Sequence, residues 1–137
     1  ALTRLGRHAE ARADLEAALR LQPDSEPVLT TLAGCLRALG EPAAAEAAAR
    51  RATAADPGRP EPWTNLGVAL HGQGRLREAA AAYERALALA PDDPLATYNL
   101  AHVLNDQWRA AEARPLFRRA AELDPDSPRA WHTQLLM

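Results

Sequence analysis

Two asparagines, Asn65 and Asn99, lie 34 positions apart and carry the side-chain chemistry best suited to binding. A carboxamide holds both a hydrogen-bond donor and an acceptor, so it can pair with the N–H and C=O groups of an extended peptide. Thr31 occupies the same register 34 positions earlier. Amides repeated at a fixed interval on one surface would hold a peptide by its backbone and tolerate varied side chains. The alternative is that each Asn only bonds a neighbouring helix.

Two histidines, His71 and His102, are the other side chains with ligand chemistry. A protein metal site usually needs at least three ligands, and only Asn105 or Asp106 is at hand to complete one. We therefore expect no metal site and interpret the histidines as groups that face solvent or a bound ligand. The sequence has no Ser-His-Asp spacing, no phosphate-binding glycine loop and no HExxH stretch. These residues predict no catalytic site and no cofactor.

The elements that must position these residues recur every 34 residues. Residues 60–93 contain two apolar runs at helical spacing, separated by a Gly-containing turn and closed by Pro91. Each helix is too short to be stable alone, so the pairs must stack on one another. The period is clearest in the proline and alanine columns: Pro23, Pro57, Pro91 and Pro125, and Ala18, Ala52, Ala86 and Ala120.

These columns resemble the tetratricopeptide repeat (TPR) family. The match is fullest at Trp63, Leu66, Gly67, Leu70, Ala79, Tyr83, Ala86 and Pro91. The resemblance implies an all-α fold, a right-handed α-solenoid of antiparallel helix pairs. It divides the single domain, 1–137, into a partial repeat (1–25), three full repeats (26–59, 60–93 and 94–127) and a second partial repeat (128–137).

Helices are predicted over 8–21, 26–39, 42–55, 60–73, 76–89, 94–107 and 110–123, with the tail of an earlier helix over 1–5 and a further helix starting at Pro128. Gly6, Gly40 and Gly74 share the turn position, and Trp108 replaces it in the last pair. We therefore expect a different turn there, with Trp108 capping the helix pair rather than standing exposed as an anchor. Pro115 predicts a late start or a bend in the last helix.

In the TPR family the first helix of each pair lines a concave groove. The resemblance therefore places in the groove Thr31, Arg37, Thr64, Asn65, Val68, His71, Leu95, Tyr98, Asn99, His102 and Asn105. The asparagine column is similar to the ladder in the repeats of O-linked N-acetylglucosamine transferase. Some relatives bind a C-terminal carboxylate through lysines, but this chain has Thr64 and Tyr98 at those positions and contains no lysine.

Composition excludes several classes of partner. The 16 basic residues are interspersed with 18 acidic ones for a net charge of −2, which argues against nucleic-acid binding. The single cysteine, Cys35, excludes an intrachain disulfide and is expected to be buried. No apolar run approaches the roughly 18 residues of a membrane span, and no signal peptide is visible. Cytoplasmic is the expected location, and the absence of Lys and Ile suits a GC-rich bacterial genome.

The first functional hypothesis is a protein-interaction module that binds an extended peptide or a partner helix in the groove. The second is the substrate-recruiting arm of a larger enzyme, of glycosyltransferase or sulfotransferase type. The third is a structural spacer that assembles with itself. Because both ends interrupt a repeat, we expect a fragment of a longer array whose open ends permit head-to-tail self-association.

Overall fold

The computed structural model describes residues 2–128 and 130, which form seven helices and no β-strand. The helices are α1 (Leu2–Leu21), α2 (Glu26–Ala38), α3 (Pro42–Ala55), α4 (Pro60–Gly72), α5 (Leu76–Leu89), α6 (Pro94–Asp106) and α7 (Ala110–Leu123). The all-α solenoid expected from the repeat is confirmed. Residues 131–137, where a further helix was predicted, lie outside the described residues.

Helices α2 to α7 form three consecutive pairs, and each pair packs on the next. Pro42, Pro60 and Pro94 are the first residues of their helices, where a missing N–H removes no helical hydrogen bond. Asp93 caps α6, since its side chain accepts a hydrogen bond from the N–H of Leu95 at 3.0 Å. The predicted helices of these pairs agree with the structure to within one residue.

The turn at Trp108 does not differ from the others, so that prediction was wrong. Trp108 has φ 62°, close to the 74° of Gly74. Its N–H donates to the carbonyl of Asn105 at 3.0 Å, as that of Gly74 does to His71. Packing of the two helices therefore imposes the left-handed turn whatever residue occupies it. The Trp108 side chain is 94% exposed, which also overturns its expected capping role.

Two helix predictions near the ends also need correction. Gly6 does not end a helix, because α1 runs through it. A single glycine costs a helix only about 1 kcal/mol, so α1 tolerates Gly6 in its interior. Helix α7 begins at Ala110 and contains Pro115, so it does not start late.

The core lies between the helices of each pair and between successive pairs. It is built from small residues, among them the fully buried Ala49 and Ala79. The ring of Tyr83 lies against Gly67, where a Cβ would come within 2.5 Å of it. Burial raises the pKa of the Tyr83 phenol above its ordinary value. Cys35 is buried as expected.

None of the described helices is both long and apolar enough to cross a bilayer.

At the N-terminal end of the described array, α1 packs on α2 through Leu15 and Leu19. Its exposed side includes Arg7, Glu10 and Asp14. Head-to-tail self-association at this end stays a prediction.

Candidate functional site

The curvature of the array defines two faces. The first helices of successive pairs touch, α2 with α4 and α4 with α6, whereas α3 and α5 do not approach to the same extent. The array is therefore narrower on the side of α2, α4 and α6. This side is the concave face that the family resemblance implied, and the three helices line a groove on it.

An open pocket of about 380 Å³ lies in this groove between α4 and α6. The structure brings together three predicted groove residues here: Thr64, Asn65 and Leu95. Leu95 is 37% exposed and supplies an apolar surface beside polar groups. Glu61 and Asp93 complete the lining. The position of Asp93 at the groove follows from the stacking of α6 on α4.

The two asparagines at the centre of the prediction are both half-buried but differ in their contacts. The Asn65 Nδ2 atom donates a hydrogen bond to the carbonyl oxygen of Thr30 on α2, at 3.2 Å. Its other N–H and its Oδ1 remain available to a ligand. The Asn99 amide forms no hydrogen bond with any described residue. Asn65 thus makes one structural hydrogen bond and keeps one amide N–H and its carbonyl oxygen for a ligand. In Asn99 no amide group is paired with a described residue.

Tyr98 and His102 belong to an aromatic cluster with Phe117. The Tyr98 and His102 rings stand edge to face with centroids 4.6 Å apart. Both also meet the buried Phe117 ring edge to face, at 5.7 and 5.1 Å. This arrangement fixes α6 against α7, and both Tyr98 and His102 are half-buried. Their rings are therefore held in place by contacts with one another and with Phe117.

His71 forms a bridge between successive repeats. Its Nε2 lies 2.7 Å from a carboxylate oxygen of Asp106, at the end of α6. His71 is partly exposed, with 28% of its side chain accessible, so the pair lies at the rim of the groove. In the described part of the chain, no three His, Cys, Asp or Glu side chains are grouped to hold a metal ion.

The remaining predicted residues have different degrees of access. Arg37 and Asn105 are exposed, and Val68 is half-buried against the core. Thr31 is exposed, but its hydroxyl donates to the carbonyl of Pro27 in its own helix. Thr64 is only 6% exposed, and its hydroxyl donates to Pro60 in the same way. Thr64 therefore offers little surface to a ligand.

Sequence reasoning missed a second pocket, on the opposite side of α4. It lies between α3 and α5, where Trp63 meets Arg85. The signal in the sequence was a stripe on α5 at helical spacing, with Ala81 and Ala82 between the charged residues Glu78 and Arg85.

Comparison with known proteins identifies the repeat. Two family models described as tetratricopeptide repeat match residues 2–66 and 64–128. No curated protein gives a significant sequence match. Several solved structures have the same fold. A crystal structure of MamA is 22% identical and has a TM-score of 0.84, over 93% of this chain and 75% of that one. MamA 41-end from Desulfovibrio magneticus RS-1 is 20% identical, with a TM-score of 0.81 over 93% and 72%. YrrB, described as a TPR protein with an unusual peptide-binding site, is 23% identical, with a TM-score of 0.82 over 94% and 66%.

Proposed function

This chain belongs to the tetratricopeptide repeat family, and we propose that it is a protein-interaction module whose concave groove binds an extended peptide. The groove is defined by α2, α4 and α6. No catalytic role is proposed for it.

The single observation that carries the proposal is that the two asparagine amides have hydrogen-bonding groups without a partner among the described residues. Asn99 has no hydrogen-bond partner among the described residues, and Asn65 uses only one of its donors, on Thr30. Both are half-buried on adjacent first helices, so their polar groups are partly removed from water. A half-buried amide gains most from a partner that supplies both a donor and an acceptor, as a peptide backbone does.

The surroundings of the amides suit an extended chain. The pocket between α4 and α6 places the exposed part of Leu95 next to Asn65. Tyr98 and His102 follow Leu95 on α6 by about one and two helical turns, and both are half-buried. We propose that these three side chains contact the ligand's apolar groups while the asparagines pair with its backbone. Arg37, His71 and Asn105, at more accessible positions, would contribute selectivity.

The ionic character of the groove limits the choice of ligand. The three groove helices and their caps carry four carboxylates, Glu26, Glu61, Asp93 and Asp106, and two arginines, Arg37 and Arg59. Arg59 already pairs with Glu26 and Glu61, at 3.5 and 3.8 Å. A strongly acidic peptide would therefore meet repulsion. A neutral or mildly basic peptide of mixed polarity is the ligand class that fits. The peptide-binding description of YrrB is compatible with this proposal, although that similarity concerns the fold alone.

A random peptide library tests the proposal directly. Wild type, the Asn65→Ala/Asn99→Ala double variant and a Gln22→Ala control would be immobilised and panned in parallel. Gln22 is an exposed carboxamide in the turn after α1, away from the groove. We expect wild type and the control to capture many different peptides and the folded double variant to capture few. Equal capture by all three proteins would exclude the amide mechanism, and no capture by wild type would favour the spacer hypothesis.

A further inference from the structure

A second binding site lies on the face opposite the groove. It is an open pocket of about 410 Å³ between α3 and α5, which we call the convex pocket. Its floor is formed by Trp63, Leu66 and Leu70 of α4, and one wall by Ala81 and Ala82 of α5. On α4 these floor residues lie on the side opposite Thr64, Asn65 and Val68, since helical residues advance 100° each. The convex pocket and the groove are therefore separate surfaces.

The convex pocket exists because of curvature and side-chain size. The second helices α3 and α5 diverge on the outer face, whereas the first helices touch. Small side chains at Ala81 and Ala82 do not fill the resulting gap. The volume lies in the range of pockets that accept a ligand group, about 300–1,000 Å³.

At one end of the convex pocket the charged side chains pair with one another. Glu78 accepts from Arg75 at 2.6 Å, and Arg50 approaches it from α3 at 3.4 Å. Arg75 and Arg50 also bind Glu46, each at 2.7 Å. These ion pairs join α3 to α5 and leave no carboxylate unpaired at this end.

The other end carries a positive charge without a carboxylate. The Arg85 guanidinium lies over the Trp63 ring, with its Cζ 5.5 Å from the ring centroid. Arg85 makes no ion pair with any described residue. The indole is itself held in place, because its Nε1 donates to the carbonyl of Pro57 at 3.0 Å. The apolar floor therefore adjoins the partly exposed Arg85 cation. Arg85 lies two helical turns, about 10 Å, along α5 from Glu78.

We propose that the convex pocket binds a partner protein's segment in which an apolar side chain is followed by acidic residues. The apolar side chain would lie against Trp63 and Ala81. The carboxylates would pair with Arg85, whose planar guanidinium suits bidentate binding of a carboxylate. The charge preference is opposite to that of the groove, and this assignment does not depend on the groove binding anything.

Nuclear magnetic resonance with two synthetic peptides tests this assignment. The probe is acetyl-Gly-Ser-Leu-Glu-Glu-Ser-Gly-amide, and its matched control has Gln in place of both Glu residues. Addition of the acidic peptide is expected to shift the Trp63 indole N–H and the Ala81 and Ala82 amides in a saturable way. It is expected to bind about tenfold more tightly than the Gln peptide, the size of effect expected from one charge-assisted pair.

Two variants locate the charge effect. Arg85→Gln should abolish the preference for the acidic peptide. Arg77→Gln, which removes the same charge from an exposed position on the same helix outside the convex pocket, should retain it. Equal affinity for both peptides, the same loss in both variants, or no shift at millimolar peptide would overturn the assignment. Shifts confined to the Asn65 and Asn99 side-chain amides would also overturn it while supporting the groove proposal.

Discussion

The Asn65 side chain donates a hydrogen bond to the Thr30 carbonyl oxygen, 3.2 Å away on the preceding first helix. The same two residue types recur 34 positions later as Thr64 and Asn99, yet no such bond forms there. Two residues that are equivalent in the repeat therefore differ in role. Asn65 joins two repeats and keeps one amide N–H and its carbonyl oxygen for a ligand, whereas Asn99 has no hydrogen bond to a described residue.

This difference predicts unequal effects of alanine on stability. Asn65→Ala should lower the free energy of unfolding by about 1 kcal/mol, the net value of one hydrogen bond. Asn99→Ala should change it by less than about 0.5 kcal/mol, as is usual for a position without such a contact. Urea unfolding followed by circular dichroism measures both. Equal losses in the two variants would mean that the Thr30 contact contributes nothing specific.

A second prediction concerns the crossing of α4 and α5. Gly67→Ala would place a methyl within 2.5 Å of the Tyr83 ring, which is 1% exposed and cannot move aside. We expect a loss of about 2 kcal/mol from overpacking. Gly34→Ala is the matched control in the preceding first helix, because nothing lies within 4 Å of its Cβ position.

The control should behave in the opposite way. Gly34→Ala should raise the free energy of unfolding by up to about 1 kcal/mol, because alanine favours the helix over glycine. Thermal unfolding of both variants makes the comparison. If Gly67→Ala were as stable as Gly34→Ala, the close packing of Tyr83 on Gly67 would be refuted.

The turn at Trp108 gives a third prediction. Its backbone is left-handed, φ 62°, which costs a non-glycine residue about 1 kcal/mol, and its exposed side chain recovers nothing by packing. Trp108→Gly should therefore stabilise the protein by up to about 1 kcal/mol in urea unfolding. Gly74→Ala places a side chain on the left-handed residue of the equivalent turn, and it should destabilise the protein by a similar amount. A loss of stability in Trp108→Gly would show that the indole makes a contact we have not assigned.

Gly6 and Trp108 show what the sequence could and could not predict. Helix starts were predictable because Pro42, Pro60 and Pro94 fit the first position of a helix and few others. The turns were less predictable, because they follow from the packing of two helices. The residue at the turn changes the free-energy cost of its left-handed conformation by only about 1 kcal/mol. Gly6 lies within the continuous helix α1, whereas Trp108, between two packed helices, adopts the left-handed turn.

The candidate site was predictable to a similar extent. The 34-residue period placed Asn65 and Asn99 in one column, and the first helices do line the concave face. The period gave no means of telling the two asparagines apart, since small differences in helix position decide whether a 3.2 Å hydrogen bond forms. The convex pocket was missed because it depends on how far α3 and α5 diverge, which no local pattern encodes.

A fourth prediction concerns acid stability. The pKa of Glu46 lies below its ordinary 4.5, chiefly because Gln73 donates to it and further because of Arg50 and Arg75. A lowered pKa stabilises the folded state fully above the unfolded pKa, and this is lost as the pH falls through the folded value. Glu46→Gln should thus be less stable than wild type at pH 7, and the difference should shrink below pH 4.5.

Urea unfolding at several pH values measures this difference. Glu10→Gln is the control, because Glu10 is exposed on α1 and forms no ion pair with a described residue. Its difference from wild type should stay small at every pH. A difference for Glu46→Gln that does not change between pH 7 and pH 3 would show that the Glu46 network does not titrate with folding.

The central claim is that Asn99 holds the backbone of a bound peptide. It is tested most directly by calorimetric titration of one library-selected peptide and its singly N-methylated forms into wild type and Asn99→Ala. Each methyl removes one backbone donor from the peptide. Methylation at one position is expected to weaken binding to wild type about tenfold but to have little further effect on Asn99→Ala, because both changes remove the same hydrogen bond. Equal, additive losses in the two proteins at every position would contradict it.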